Sequence, residues 1–578
     1  MRFHRVWVVD TEFQHELGHH PNPRCLVAKD VSNGNLVRVW ADNVPPTPFY
    51  GKDDLLITFS ATAEAAVFLV FGWPLPTNVL DLYVEARLLQ NGNRQCGDSL
   101  LDVCKAFNIP TIDTLAKEAG RTLAMRAGHA REFTPEERRA LLDYCQSDVE
   151  ITSALFKEME RHWFHAWTDQ QWSQAMIRGQ YMAVLAQVER SSLPIDVRLF
   201  TTLRTHWRDI QRHIVSEAQA VYGCFDGLVF KKKQFADWLH HRNIPWPTTP
   251  AGAPRTDEET FKTYERMYPE VELLRQVLNA KNKFKDQKTV IGPDGRNRVW
   301  LRPFITKTGR NAPSNSEFIL GSAAWLRRFI QPPPGRALAY LDYSQQEIAL
   351  AAYLSGDTKL QEAYESGDVY IASAIQAGEL SPGSVKCDAT KAARGRWKSI
   401  ILATQYEMGA HSLAARLGCS VVEAQRILDR HRRTYADYWA WHDGVVEAAC
   451  EVEAEPLVTK LGWTYWPTEL NQRTIGNWYM QAHGSDLLRL SCIHAIQNGI
   501  NVVAPLHDAV FIEADENEID EHVIAMRAIM SECSKLLLDG HEIRTDAEII
   551  RHPDHFEDDR GKDIWLRIDA FLKERNIK

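Results

Sequence analysis

Residues 336–347 read Arg-Ala-Leu-Ala-Tyr-Leu-Asp-Tyr-Ser-Gln-Gln-Glu, a short apolar run that ends in an acid. The run is typical of a buried strand that carries Asp342 at its end, with a helix beginning near Glu347. An acid in this position borders a cleft in many proteins, although turn chemistry explains it equally well when the stretch is taken alone. The stretch therefore predicts a sheet with a carboxylate at one end.

A second segment also presents an acid. Residues 501–512 read Asn-Val-Val-Ala-Pro-Leu-His-Asp-Ala-Val-Phe-Ile, with apolar runs on both sides of His507 and Asp508. Two apolar runs around a polar pair predict a β-hairpin with Asp508 at its tip. A turn without catalytic function remains the alternative for this segment alone.

A basic helix is expected between these two segments. Residues 394–406 read Arg-Gly-Arg-Trp-Lys-Ser-Ile-Ile-Leu-Ala-Thr-Gln-Tyr. In a helix, successive i+4 positions form one stripe, here Arg394, Lys398, Leu402 and Tyr406. The two cations suit a triphosphate, because arginine forms forked hydrogen bonds and lysine acts as a point charge. An amphipathic helix with a solvated basic turn is the alternative interpretation.

The N-terminal region carries a separate acidic pattern. Asp10 and Glu12 stand two apart at the end of a strand-like run, so both carboxylates emerge on one face and can share a divalent metal. Tyr144 and Asp148 are one helical turn apart. A metal pair held by the three acids would activate water for phosphodiester hydrolysis, with Tyr144 orienting the water. Taken singly, each piece fits a helix cap or a solvent-facing acid.

Composition indicates a folded chain of several domains. The 578 residues are 44% hydrophobic and 25% charged. The most apolar stretch, residues 55–75, contains Thr58, Ser60 and Glu64, so no transmembrane helix is predicted. Scattered cysteines and the lack of a secretory signal pattern favour a reducing cytoplasm.

The net charge of −9 hides an uneven distribution. Residues 511–560 contain 15 acidic and 5 basic residues, whereas residues 281–310 contain 9 basic and 2 acidic ones. The basic stretch suits a nucleic-acid backbone, and a solvated loop is the alternative.

The three C-terminal segments, in this order and spacing, resemble the polymerase motifs of family A DNA polymerases, the group of bacterial DNA polymerase I. The likeness covers nearly the whole chain. It implies that Asp342, Asp508 and the backbone carbonyl of Tyr343 hold two Mg²⁺ ions, with Mn²⁺ as a substitute. Further residues are implied to contact the dNTP, namely Arg394, Lys398, Tyr370, Leu402, Tyr406 and Glu347. Others are implied to contact primer–template DNA, namely Arg310, Arg473, Asn477, Gln481 and His507.

The N-terminal pieces resemble the DEDD-type proofreading 3′–5′ exonucleases that use a tyrosine. That resemblance implies a ribonuclease H-like fold, a metal pair at the three acids and the 3′ end of single-stranded DNA as substrate. The family has one further acid, for which Glu64 is the best match in spacing, although the usual residue is Asp. Asp81 is the alternative, but its context suits a structural role better.

The implied architecture is a multidomain chain of α/β and α+β type. An exonuclease domain at residues 1–165 precedes a right-hand polymerase. Its parts are a helical thumb at 166–300, a palm at 301–360 and 476–578, and fingers at 361–475.

Three positions depart from the bacterial pattern. Ala509 stands where those enzymes have an acid, which leaves Asp342 and Asp508 as the obvious metal ligands. Leu402 replaces an aromatic residue, and Tyr370 replaces a phosphate-contacting histidine. The compact layout is similar to phage-encoded members, which implies phage DNA replication in a bacterial host cytoplasm. Some phage relatives copy 2-aminoadenine genomes, so a modified-base preference is a further possibility.

Two other classes of function remain open. The chain could be a DNA exonuclease whose polymerase half only holds DNA, or a replication-fork binding protein with decayed sites. The joint presence of both acids with Arg394 and Lys398 argues against each of them.

Overall fold

The N-terminal region contains a mixed five-stranded sheet in the computed structural model, which describes residues 3–111, 114–265, 267–286, 288–451, 454–468 and 470–577. The strands are β1 (Val6–Gln14), β2 (Asn22–Asp30), β3 (Leu36–Trp40), β4 (Leu55–Thr58) and β5 (Asn78–Asp81). They lie in the order β3-β2-β1-β4-β5, with β4 and β5 parallel to β1 and the other pairs antiparallel. The flanking helices are α1 (Ala61–Phe71), α2 (Leu82–Gln90), α3 (Leu100–Ala106), α4 (Thr114–Ala124) and α5 (Pro135–His162).

Strand β1 is buried on both faces of this sheet. Val8 packs into one hydrophobic cluster, while Trp7 and Val9 pack into another on the opposite side. Helix α5 begins with a capping box in which Thr134 and Glu137 each bind the other's backbone N–H. The N-terminal region is therefore a mixed sheet with helices around it.

The middle of the chain is mostly helical, as the sequence predicts. Its helices are α6 (Asp169–Ser191), α7 (Val197–Tyr222), α8 (Lys232–His241), α9 (Glu258–Tyr264) and α10 (Glu272–Asp286). Short two-residue strands pair as β6 (Leu193–Pro194) with β9 (Arg296–Asn297), and as β7 (Phe225–Asp226) with β8 (Val229–Phe230).

Helix α6 packs against the N-terminal sheet and also contributes to the core of the C-terminal region. A Cβ atom at Gly179 would lie 1.9 Å from the carbonyl oxygen of Val79, so only glycine lets the helix approach β5 this closely. The neighbouring Arg178 forms two hydrogen bonds of 2.7 Å with buried Glu85 on α2. Residues of α6 also belong to the large hydrophobic core that continues into the C-terminal region.

The C-terminal region is built on a four-stranded antiparallel sheet in the order β13-β14-β10-β15. Its strands are β10 (Arg336–Tyr343), β13 (Asn501–Leu506), β14 (Ala509–Asp515) and β15 (Thr545–Arg551), and a separate pair joins β11 (Leu457–Val458) to β12 (Thr464–Tyr465). The helices are α11 (Gln346–Ser355), α12 (Thr358–Glu365), α13 (Val369–Gln376), α14 (Lys391–Gln405), α15 (Ala410–Leu417), α16 (Val421–Thr434), α17 (Ala436–Ala449), α18 (Gln472–Gln497), α19 (Ile519–Leu537) and α20 (Lys562–Glu574). Within the described residues, no helix combines the length and apolar character needed to cross a membrane.

Candidate active sites

Asp342 and Asp508 meet at one end of the C-terminal sheet. Asp342 is the penultimate residue of β10, and the backbone N–H of Tyr343 donates to the carbonyl of Asp508 at 3.1 Å. His507 and Asp508 form the two-residue turn between β13 and β14, with a positive φ of 55° at His507. Both the strand and the hairpin that the sequence predicts are confirmed.

The two carboxyl groups share a partly buried, negatively charged environment. Burial, Asp508 and then Asp546 raise the pKa of Asp342 to about 7, while Lys398 acts in the opposite direction. Burial also raises the pKa of Asp508. Among the described residues, the buried Oδ1 atom of Asp342 has no hydrogen-bond partner. Hard divalent cations prefer carboxylate oxygens, so this pair fits such an ion.

The side chain of Tyr343 is not available to a ligand. Its ring is fully buried, and its hydroxyl lies 2.9 Å from Ser491 Oγ and donates to the carbonyl of Met530 at 2.9 Å. Only its backbone carbonyl, at the end of β10, remains for the predicted ligand role.

Asp546 is a further acid beside Asp342, and the sequence does not predict this proximity. It lies on β15 directly opposite Asp342, whereas Ala509 on β14 is the partner of Asp342 on the other side. No local motif marks it, since only the pairing of β10 with β15 brings the two acids together.

The structure confirms that Arg394 and Lys398, the two cations of the predicted stripe, lie on one helix, α14. Arg394 donates from Nε to Asp368 Oδ2 at 2.5 Å, and its guanidinium carbon lies 5.2 Å from the ring centroid of Tyr370. Lys398 follows one turn later and acts electrostatically on Asp342. Of the two cations predicted for a triphosphate, Lys398 is therefore near the acid pair, and Arg394 is one turn away beside Asp368.

Tyr406 lies just outside the helix, which corrects the prediction of a continuous four-residue stripe. Helix α14 ends at Gln405, and Tyr406 caps it by donating its N–H to the carbonyl of Leu402 at 3.1 Å. The next residue, Glu407, has a positive φ of 50°, which a right-handed helix does not accommodate. Leu402 itself is half-buried.

Glu347, near the start of α11, is held by two side chains. The Tyr406 hydroxyl donates to its Oε2 at 2.5 Å, and Arg310 donates from Nη2 to its Oε1 at 3.2 Å. Burial, followed by Glu347, raises the pKa of Tyr406 above its ordinary value. The carboxylate is consequently fixed between the end of α14 and Arg310.

The residues predicted to face DNA lie along α18 and at the hairpin turn. Arg473 is exposed, while the buried Asn477 donates from Nδ2 to the carbonyl of Arg473 at 3.0 Å. Gln481, one turn further, lies close enough to Tyr406 to act against its raised pKa. Burial, and then Arg310, lower the pKa of His507.

The basic stretch at residues 281–310 is only partly available to a ligand. Arg296 forms bonds of 2.7 and 2.9 Å with buried Glu513, and Arg298 forms one of 2.7 Å with Asp294. These two arginines neutralise acids within the protein, which corrects the prediction that the whole stretch follows a phosphate backbone. The side chains of residues 282–287 lie outside the described residues.

A second acidic group is formed by β1 and α5. Carboxylate oxygens of Asp10, Glu12 and Asp148 all lie within 4.8 Å of one another, a spacing that can hold a metal ion. Burial and Asp148 raise the pKa of Asp10 to about 8. Burial also raises the pKa of Glu12 and Asp148. The prediction that these acids converge is confirmed.

Tyr144 and Lys117 border this group. Burial and then the nearby Asp148 carboxylate raise the pKa of Tyr144. A Cβ atom at Gly120 would lie 2.4 Å from the Tyr144 ring, so this glycine lets α4 pass across the phenol. Lys117, which the sequence prediction misses, places Nζ 3.6 Å from Asp148 Oδ1.

Glu64 and Asp81 have different environments. Glu64 is buried on α1 and accepts a 2.7 Å bond from Thr58, and after burial its largest electrostatic neighbour is Asp10. It is not part of the compact three-acid group, so its ligand role stays a prediction. Asp81 accepts bonds from the N–H groups of Ala61 and Val84, which confirms its structural role.

Known proteins are similar to this sequence over much of its length. The chain matches the family model described as DNA polymerase family A over residues 202–549, more than half of its length. It is 30% identical over 394 residues to DNA polymerase I of Synechocystis sp., a match that covers 65% of this chain and 38% of the relative. It is 23% identical over 389 residues to the thermostable DNA polymerase I of Thermus thermophilus, covering 62% and 46%. The chain spans less than half the length of these curated relatives.

A solved structure shares the fold. It is the POL domain of Pol1 from M. smegmatis in complex with DNA primer-template and dNTP, with a TM-score of 0.70 and 18% identity over 94% of this chain and 95% of that chain. The similarity shows a mixed α/β fold of the kind found in this polymerase domain. Because the family match agrees with the order of the three motifs, the chain belongs to DNA polymerase family A.

Proposed function

We propose that the chain is a template-directed DNA polymerase that adds dNTPs to a primer 3′ end and carries a 3′–5′ proofreading exonuclease. One observation carries the polymerase function, namely that Asp342 and Asp508 meet at a sheet end within electrostatic reach of Lys398. Family membership supports it. The structure of similar fold from M. smegmatis is described in complex with primer-template and dNTP, and we propose these ligands for this chain.

In this proposal the domains keep the boundaries expected from the sequence. Residues 1–165 form the ribonuclease H-like exonuclease domain and residues 166–300 the thumb. Residues 361–475 form the fingers, between palm segments at 301–360 and 476–578.

Asp342, Asp508 and the backbone carbonyl of Tyr343 would hold Mg²⁺, with Mn²⁺ as a substitute. When bound, the cations supply charge neutralisation at the triphosphate and activation of the primer hydroxyl. The chain's own contribution is positioning, because β10 and the turn at residues 507–508 fix both carboxylates before a ligand arrives.

Arg394 and Lys398 would bind the triphosphate. Asp368 accepts only from Nε of Arg394, and the remaining charged donors of the guanidinium can bind phosphate oxygens. Lys398 can then neutralise or protonate the pyrophosphate leaving group. Tyr370 and Leu402 would line the same dNTP site, and Glu347, held by Tyr406, would block a ribose 2′-hydroxyl.

Primer–template DNA would lie against the N-terminal half of α18 and the hairpin turn. We assign this contact to Arg473, Asn477 and Gln481, with Arg310 and His507 near the primer end. The exposure of Arg473 and the proximity of Gln481 to Tyr406 support this assignment.

The N-terminal acids would cleave the 3′ end of single-stranded DNA. Asp10, Glu12 and Asp148 would hold the cations that supply an activated water, with Glu64 as the fourth acid of the site. Tyr144 would orient the water through its hydroxyl. The compact spacing of the three acids supports this assignment.

The test is an assay of both activities on one preparation. A labelled primer–template with dNTPs and Mg²⁺ should be extended, and labelled single-stranded DNA without dNTPs should be degraded. Degradation without extension would favour an exonuclease whose polymerase half only holds DNA. DNA binding without either activity would favour a non-catalytic fork protein.

We also propose that the enzyme copies a phage genome, a role supported by the short separation of its exonuclease and polymerase motifs. A preference for 2-aminoadenine is tested in the same assay by competition between its deoxynucleoside triphosphate and dATP. Equal kcat/KM values for the two substrates would contradict that preference.

A further inference from the structure

Asp546 occupies a distinctive place beside the C-terminal acids. It is on β15, the edge strand of the sheet, in direct antiparallel register with Asp342. Directly paired residues point to the same face of a sheet, with Cβ atoms about 4.5–5.5 Å apart. Ala509 is paired with Asp342 from the other neighbour, β14. The three side chains therefore form one row across the sheet, with Asp342 in the middle.

The surroundings of Asp546 suit a negatively charged ligand that carries bound cations. Its side chain is exposed, and its Oδ2 atom accepts a 2.6 Å bond from Ser344, which follows β10 directly. Among the described residues, its Oδ1 atom forms no hydrogen bond. Asp546 also lines a cleft of about 1120 Å³ that contains Arg394 and Asp368. Asp546 is thus both the strand partner of Asp342 and a lining residue of the cleft that contains the arginine assigned to the triphosphate.

The residue at position 509 gives a reason to look for an additional acid near Asp342. The resemblance to bacterial enzymes predicts an acid there, on the β14 side of Asp342, and this chain has alanine. Asp546 offers a carboxylate on the same face but on the β15 side. Asp342 therefore has an acid as its strand partner on the β15 side and alanine on the β14 side.

We infer that Asp546 is the third carboxylate of the polymerase site, and that it binds divalent cations together with Asp342 and Asp508 from the flank opposite to position 509. The inference rests on the proposed polymerase function. It assigns to Asp546 a positioning role for the cations that accompany the incoming triphosphate.

A different explanation is that Asp546 only protects an edge strand. Charged side chains on edge strands prevent pairing with other chains. Glu548 tests this explanation, because it is on the same strand and the same face, opposite Tyr340 and about 7 Å along β15 from Asp546. If Asp546 only protects the edge, replacing Asp546 or Glu548 should have the same effect on cation affinity. If Asp546 binds cations, only its replacement should lower that affinity.

The experiment measures Mn²⁺ binding to the full chain by electron paramagnetic resonance of free Mn²⁺. Asp10→Asn is present in every variant, so that the N-terminal acids contribute little. Asp546→Asn should weaken the remaining binding about tenfold. Glu548→Gln should bind as the parent does, and Asp546→Glu should retain most of the affinity because it keeps the charge.

Two results would overturn the inference. One is unchanged Mn²⁺ affinity in folded Asp546→Asn, and the other is an equal loss in Glu548→Gln, which would indicate a general field effect. Primer extension by the unaltered chain keeps the two proposals apart. If that chain extends no primer, the proposed function fails, whereas an active chain whose Asp546→Asn variant needs no additional Mg²⁺ contradicts the inference alone.

Discussion

The two acidic sites of this chain are built differently. In the N-terminal site, one strand and one helix bring three carboxylates within 4.8 Å of one another. In the C-terminal site the acids come from β10, the turn before β14 and β15, and the described residues form no equally compact group there. We infer that protein side chains alone supply the cation ligands of the N-terminal site. In the C-terminal site, the phosphates of a substrate would supply the ligands that the protein lacks.

The largest expected effect tests whether the two sites are independent. Asp508→Asn should reduce primer extension about 1000-fold or more, equivalent to ~4 kcal/mol of transition-state stabilisation, because it removes a cation ligand. Single-strand degradation should remain within about twofold. Single-turnover rates of both reactions provide the measurement.

Asp10→Ala is the matched control and should show the reverse pattern, with degradation lost and extension retained. If either variant loses both activities while its circular dichroism spectrum is unchanged, the two sites are not independent.

The second effect concerns the cleft that the substrate is expected to fill. Arg394→Ala should raise the KM for dNTP about 10- to 100-fold, since a hydrogen bond to a charged group contributes about 1.5–3 kcal/mol. Arg396→Ala is the control, because Arg396 is on the same helix but lies near Glu423 at 3.5 Å instead of facing the acids. A change confined to primer–template affinity would contradict the triphosphate role.

A third prediction tests whether the Glu347 carboxylate excludes the ribose 2′-hydroxyl. Glu347→Ala should raise the kcat/KM ratio of rNTP to dNTP about tenfold or more, because the carboxylate held by Tyr406 and Arg310 no longer meets the 2′-hydroxyl. Tyr406→Phe keeps the carboxylate but removes one of its donors, so it should change the ratio less, in the same direction. An unchanged ratio in an active Glu347→Ala variant would assign sugar selection to other residues.

Local patterns account for most of what the sequence predicts correctly. An apolar strand places Asp342, a hairpin turn places Asp508, and i+4 spacing places Arg394 beside Lys398. Asp546 and Lys117 are missed because strand pairing and helix packing between distant segments bring them to the acids. The end of α14 at Gln405 is missed because the backbone of Glu407, and not its residue type, breaks the helix.

A fourth effect compares the two sites through pH. Burial and acidic neighbours raise the pKa of Asp10 to about 8 and that of Asp342 to about 7, from 3.8. The folded state therefore holds protons that the unfolded state has released, so the free energy of unfolding should fall as pH rises from about 4 to about 8. Mg²⁺ binds the deprotonated acids and should raise the Tm by a few degrees at pH 8, and by less at pH 6.

Variants separate the two contributions to this pH dependence. Thermal unfolding in EDTA and in Mg²⁺ should show that Asp342→Asn reduces the slope of the profile between about pH 4 and pH 7, whereas Asp10→Asn reduces it up to about pH 8. Equal Mg²⁺ stabilisation at pH 6 and pH 8 would contradict the proton linkage.

The smallest effect concerns the cation beside each acidic group. Lys117 lies 3.6 Å from Asp148 and lowers the pKa of all three N-terminal acids, whereas Lys398 opposes the raised pKa of Asp342 but is assigned to the substrate. If Lys117 only offsets the charge that attracts cations, Lys117→Gln should lower the Mg²⁺ concentration for half-maximal degradation by about two- to fivefold, a modest shift because the side chain is partly exposed. Arg121→Gln, one turn later on α4 and exposed, should leave that concentration unchanged. A loss of degradation at saturating Mg²⁺ would mean instead that Lys117 contacts the DNA, and the lysines of both sites would then serve the substrate in the same way.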